Sequence, residues 1–113
     1  MLEFRLSLEY ACYPVWIIID GMEEDDHPVF DEINSDPELA KLLRALQNDY
    51  EALFINDTHT FEYVGFRTKE EQARFIEQAR HVICMVKARF GGRYAIVDHI
   101  SGQLADGGRK LWL

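Results

Sequence analysis

The chain has 113 residues, with 20 Asp+Glu against 12 Lys+Arg, for a formal charge of −8. One domain spanning 1–113 is expected at this length, burying roughly two-thirds of its unfolded surface. The acidic balance argues against general nucleic-acid or anionic-membrane binding, and an apolar content of 48% argues against bulk disorder.

Leu2, Phe4, Leu6, Leu8 and Tyr10 alternate with Glu3, Arg5, Ser7 and Glu9. This period of two predicts a half-buried strand. Glu3 and Arg5 interrupt the start before any apolar stretch that would suit a secretory signal. After Pro14, the run Val15–Ile19 is apolar at every position, predicting a central strand covered at least in part on both faces. It is far short of the roughly 18 residues of a membrane span, and no apolar run is longer. Tyr10–Tyr13 is short enough to join these strands as an antiparallel hairpin.

Asp20 to Asp36 lacks periodicity and is rich in loop formers, so a loop of about 15 residues is expected. A helix follows: Asp36 caps it, Pro37 suits its first position, and Leu39, Leu42, Leu43, Leu46, Tyr50 and Leu53 form its apolar stripe. Asn56-Asp57-Thr58 reads as a turn and Phe61–Phe66 as a third strand. Thr68 and Glu71 form a capping box. The second helix then runs to Phe90, with Phe75, Ile76, Ala79, Val82, Ile83, Val86 and Phe90 on one stripe, and Gly91-Gly92 ends it. Tyr94–Ile100 reads as a fourth strand, and Leu111-Trp112-Leu113 as a short fifth. The order β-β-α-β-α-β(-β) predicts an α+β, two-layer sandwich. Its four- to five-stranded sheet would be mostly antiparallel, with two helices on one face. A parallel crossover in the last strand–helix–strand unit would make the sheet mixed.

Few residues carry recognisable chemistry. His27 beside Asp25 and Asp26, and His59 near Asp57, have no metal-ligand spacing, so no metal or cofactor is expected. Cys12 and Cys84 match no redox or metal pattern and read as buried thiols in a reducing cytoplasm. Neither is placed as an activated nucleophile, and there is no phosphate-binding glycine loop. Arg67, Lys69, Arg74, Arg80, Lys87, Arg89 and Arg93 are interspersed with Glu70, Glu71 and Glu77, as on a solvated helix face.

The charge is unevenly distributed. Residues 1–40 hold 11 acids and one base, Arg5, whereas residues 41–113 hold 9 acids and 11 bases. Asp20, Glu23, Glu24, Asp25, Asp26, Asp31, Glu32, Asp36 and Glu38 place nine acids in 19 residues, around the apolar Met22, Val29, Phe30 and Ile33. Such a field steers a basic partner, and embedded apolar groups anchor it. Asp20, Glu23, Glu24, Asp25, Asp26, Phe30, Asp31 and Glu32 are therefore the candidate protein-binding residues. The opposing reading makes the acids solubilising and Phe30 and Ile33 mere pins to the core.

Tyr13-Pro14-Val15-Trp16 with its acidic loop resembles the small bacterial immunity proteins of polymorphic-toxin and contact-dependent inhibition systems. So do Tyr50-Glu51-Ala52-Leu53-Phe54 and Phe61-Glu62-Tyr63-Val64-Gly65-Phe66 leading into Thr68-Lys69-Glu70-Glu71. The resemblance covers about residues 10–100 and transfers no individual functional residue. It implies a cytoplasmic, non-enzymatic inhibitor of one cognate toxin domain. Such toxins are often nucleases with a basic cleft. The alternative is an adaptor or regulatory subunit using the same acidic face; a small enzyme is the third reading.

Overall fold

The computed structural model describes residues 2–105. Three strands open the chain: β1 (Leu2–Leu6), β2 (Val15–Ile19) and β3 (Met22–Glu23). Helices α1 (Pro28–Asn34) and α2 (Pro37–Glu51) follow, then strands β4 (Phe54–Asn56) and β5 (Phe61–Tyr63). Helix α3 (Lys69–Phe90), strand β6 (Ala95–Asp98) and helix α4 (Ile100–Gln103) complete the order. The fifth strand expected at Leu111–Leu113 lies outside the described residues.

The fold is α+β, but the sheet differs from the expected one. Its order is β3-β2-β1-β6, with β1 antiparallel to β2 and parallel to β6, so the sheet is mixed. The third strand of the sequence reading, β5, does not join it. It pairs antiparallel with β4 in a separate two-stranded ribbon. The cause is local. Asp57 closes the turn by accepting from the backbone N–H of His59 (2.9 Å) and Thr60 (2.8 Å), which folds β5 back onto the segment leaving α2.

The predicted alternation in β1 is realised. Phe4 and Leu6 are fully buried, while Glu3 and Arg5 on the other face are half-buried and paired with each other. In β2, Val15 and Ile17 are buried, and Trp16 and Ile18 are partly covered on the reverse face. Phe4 meets Phe90 of α3 with ring centroids 5.3 Å apart, which sets that helix against the buried face. Leu39, Leu43, Leu46 and Tyr50 of α2 and Phe75, Ala79, Val82 and Val86 of α3 fill the same core. At about 25 cal/mol per Å² of apolar surface, this burial is the main stabilising contribution.

Both helix starts follow their sequence signals. Leu39 N–H donates to the Asp36 carboxylate (3.2 Å), and Glu71 N–H donates to the Thr68 hydroxyl (3.0 Å). Gly91 ends α3 with a right-handed φ of −62° rather than a left-handed one. A Cβ there would lie 2.5 Å from the Lys87 carbonyl oxygen. The fourth strand stops at Asp98, and Ile100 begins α4 instead, its side chain fully buried.

The cysteines do not match the buried reading: Cys84 is exposed and Cys12 is half-buried. Val82, Ile83 and Val86 turn to the core, which leaves Cys84 on the outer line with Arg80 and Lys87.

Candidate functional site

The acidic segment is folded, not a structureless loop. Asp20 and Gly21 both have positive φ (50° and 84°), the signature of a two-residue type I′ turn. This turn pairs Met22 with Ile19 and Glu23 with Ile18, making β3 the sheet edge. The Asp-Gly pair was the signal that could have predicted it. Glu24 N–H then donates to the Ile17 carbonyl (2.7 Å), extending the pairing. Farther on, His27 Nδ1 accepts from Val29 N–H (3.1 Å), capping α1, and Pro28 takes the first helical position. Val29 and Ile33, four apart, are buried and pin α1 to the core.

This folding divides the candidate residues. Glu32 is already engaged: Arg93 donates to both its carboxylate oxygens, at 3.0 and 2.8 Å. The same guanidinium holds the Glu32 carboxyl below its ordinary range. Arg89 bonds Asp36 (2.6 Å) and Glu38 (3.5 Å). The end of α3 thus supplies the bases that the first third of the chain lacks. Glu23, Glu24, Asp25 and Asp26 are exposed and form no ion pair among the described residues. Asp20 and Asp31 are also exposed.

Glu23 lies above the ordinary carboxylate range. Local crowding strips some of its water, the Asp25 carboxylate repels its charge and accepts a hydrogen bond only from its protonated form, and Glu9 repels it further. Cys12 is raised by partial burial and by Glu9, Glu23 and Glu51. Tyr50 is pushed up to about 12 by burial, with Glu9 adding. Glu9 and Glu51 thus lie near Cys12, although they come from the end of the first strand region and the end of α2, and Glu51 accepts there from Ala11 N–H (3.0 Å). Sequence reasoning missed both because only the fold brings them to Cys12.

Beneath the β2–β3 hairpin lies an open cleft of about 410 Å³. Tyr13, Trp16 and the half-buried Phe30 line it, Glu23, Glu24 and Asp25 stand at its acidic side, and Arg44 adds one base. Trp16 is held by its indole N–H donating to the Ser7 carbonyl (3.2 Å). Phe30 thus has two environments: it packs on the core and also forms one cleft wall. This arrangement presents unneutralised charge beside aromatic surface, a combination suited to binding cationic groups.

Among the described residues, no group of three or more His, Cys, Asp or Glu is arranged to hold a metal ion. No described helix is long and apolar enough to cross a membrane.

A family model described as Serratia CdiI immunity protein-like matches residues 3–99. No curated protein matches the chain.

Proposed function

Because the chain belongs to the Serratia CdiI immunity protein-like family, we propose that it neutralises its cognate toxin by docking the acidic edge against a basic face of that toxin. Membership makes a toxin the partner; the docking edge is our reading. The observation that carries it is the division of the acids. Glu32, Asp36 and Glu38 are neutralised by Arg93 and Arg89, whereas Glu23, Glu24, Asp25 and Asp26 are left exposed and unpaired. Like charges held this close destabilise the free protein slightly, and a basic partner relieves them.

Asp20 and Asp31 extend the same field, and Glu32 contributes at its margin. Phe30 contributes apolar surface at the cleft. Inhibition works by occlusion, with no bond made or broken by this chain. A toxin with a basic substrate cleft, such as a nuclease, fits best, because the acidic edge stands in for the polyanionic substrate. The cytoplasm, where such a toxin acts, is the corresponding site of action.

The test is charge reversal of Glu23, Glu24, Asp25 and Asp26 to Lys, with association to the purified toxin domain followed at several salt concentrations. Association slows by about 10- to 100-fold at low salt and its salt dependence flattens. Unchanged association across the set removes the edge from the mechanism.

A further inference from the structure

The short strand β3 covers only part of the edge of its longer neighbour β2. Ser7 N–H donates to the Pro14 carbonyl (3.0 Å), and Glu24 N–H donates to the Ile17 carbonyl (2.7 Å). Main-chain groups alternate sides along a strand, so Val15, like Ile17, turns its N–H and C=O away from β1. No described residue hydrogen-bonds to either group, because the chain leaves the sheet after Glu24 and runs on to α1. Val15 is 4% exposed, and the cleft that opens where β3 ends is lined by Val15, Trp16 and Ile17. A main-chain donor and acceptor so well covered and unpaired are costly, and an extended peptide entering the cleft satisfies both.

The side chains at the cleft select what that peptide carries. Strand alternation puts Trp16 and Ile18 on the face of β2 away from the core, and Glu23, paired with Ile18, shares that face. The Asp25 carboxylate lies within hydrogen-bond reach of Glu23, and both line the cleft with Trp16. Two carboxylates this close repel each other, and neither forms an ion pair among the described residues. Arg44 reaches the cleft from α2, where its charge is felt by Tyr13, and it pairs with neither carboxylate. The complement is a cation that bonds two acceptors at once and lies against an aromatic ring. A guanidinium does both, because it is a planar fork of donors that stacks on ring faces. An ammonium is a compact, strongly hydrated point charge and matches less well.

We propose that the cleft at the end of β3 receives an extended segment of the toxin, which pairs its main chain with Val15 and lays one arginine along Trp16, its guanidinium bridging Glu23 and Asp25. The inference deepens the acidic-edge reading and rests on it: the edge attracts the toxin, and the cleft holds it.

Two variants remove equal charge from neighbouring places. Glu23→Gln with Asp25→Asn neutralises the cleft pair. Glu24→Gln with Asp26→Asn is the control, since Glu24 turns to the other face of the hairpin and Asp26 does not line the cleft. All four side chains are exposed, so these near-isosteric changes leave the fold intact. Association and dissociation are measured with the toxin domain encoded beside this chain's gene. Both variants slow association by a similar factor, because the field loses the same charge. The cleft variant alone raises the off-rate, by about tenfold or more, while the control stays within about twofold of wild type. Equal off-rates in the two variants, with association slowed in both, overturn the cleft and leave the acidic edge standing. Rates unchanged in both variants overturn the edge and the cleft together, as does wild type failing to bind that domain. In the complex the Val15 amide proton exchanges more slowly; unchanged exchange overturns the main-chain pairing. Alanine substitution of one toxin arginine matches the off-rate of the cleft variant and adds nothing in combination with it. A lysine with that signature overturns the arginine. Sedimentation of the chain alone is the remaining arm: self-association lost in the cleft variant assigns the cleft to a second copy and overturns the proposal.

Discussion

The side-chain amide of Gln103 clasps both backbone groups of Leu8. Leu8 N–H donates to Gln103 Oε1 (2.9 Å), and Gln103 Nε2 donates to the Leu8 carbonyl (2.8 Å). The amide thus imitates a neighbouring strand just past the end of β1, and it ties α4 to the start of the chain.

Gln103→Ala removes both partners at once and leaves two backbone groups beside the buried Leu8 to find water. A loss of about 1–3 kcal/mol follows. Gln103→Glu fails similarly at neutral pH, because a carboxylate accepts but does not donate. Urea unfolding of the two variants checks this; wild-type stability in both would mean that solvent replaces the clasp freely.

Ile33→Ala tests whether α1 is a structural element. Ile33 is 1% exposed, so its truncation costs about 2–5 kcal/mol. Met22→Ala, on the exposed hairpin, stays within about 0.5 kcal/mol. Equal effects in thermal denaturation would contradict the packing described.

Two glutamates have opposite pH signatures. Glu32 is held below the ordinary value of 4.5 by Arg93, so its contribution is complete above that value and disappears as pH falls through the lowered one. Glu23 is raised above 4.5, so its ionised form weighs against the fold at neutral pH, and that penalty fades as pH falls through the raised value and is gone below 4.5. Glu32→Gln therefore lowers the melting temperature at pH 7 and Glu23→Gln raises it; on acidification the Glu23 difference disappears first, and the Glu32 difference persists until pH falls through its lowered value. Melting curves over a descending pH series provide the check.

Cys84 is exposed and Cys12 half-buried, with the Cys12 thiol raised by burial and nearby carboxylates. In the native protein at neutral pH, a thiol reagent labels Cys84 first and Cys12 later. Mass mapping of partially labelled protein resolves the order; the reverse would contradict the helix facing.

Periodic segments were legible in the sequence. Leu39, Leu43, Leu46 and Tyr50 lie on the buried side of α2 because a 3.6-residue repeat admits no other placement, and Phe4 and Leu6 follow the period of two. What escaped was local turn chemistry and long-range pairing. Asp20-Gly21 made a hairpin where only a loop was expected, and Val29 with Ile33 is too short a stripe to announce α1. That β5 would turn to β4 and leave β6 to β1 depended on Asp57's hydrogen bonds, which a composition pattern does not reveal. The acidic third was visible, but its division was not. Arg89 and Arg93 lie more than fifty residues beyond the acids they neutralise.

The placement of β1 between β2 and β6 has a temporal consequence. Glu3 sits opposite Ile18 on one side and Ala95 on the other. During synthesis β1 can pair with β2 as soon as both have emerged, but its second edge stays open until β6 has emerged. Loop closure over that distance is slow relative to local pairing. The β1–β2 hairpin therefore precedes the completed sheet, which closes only when β6 docks on β1.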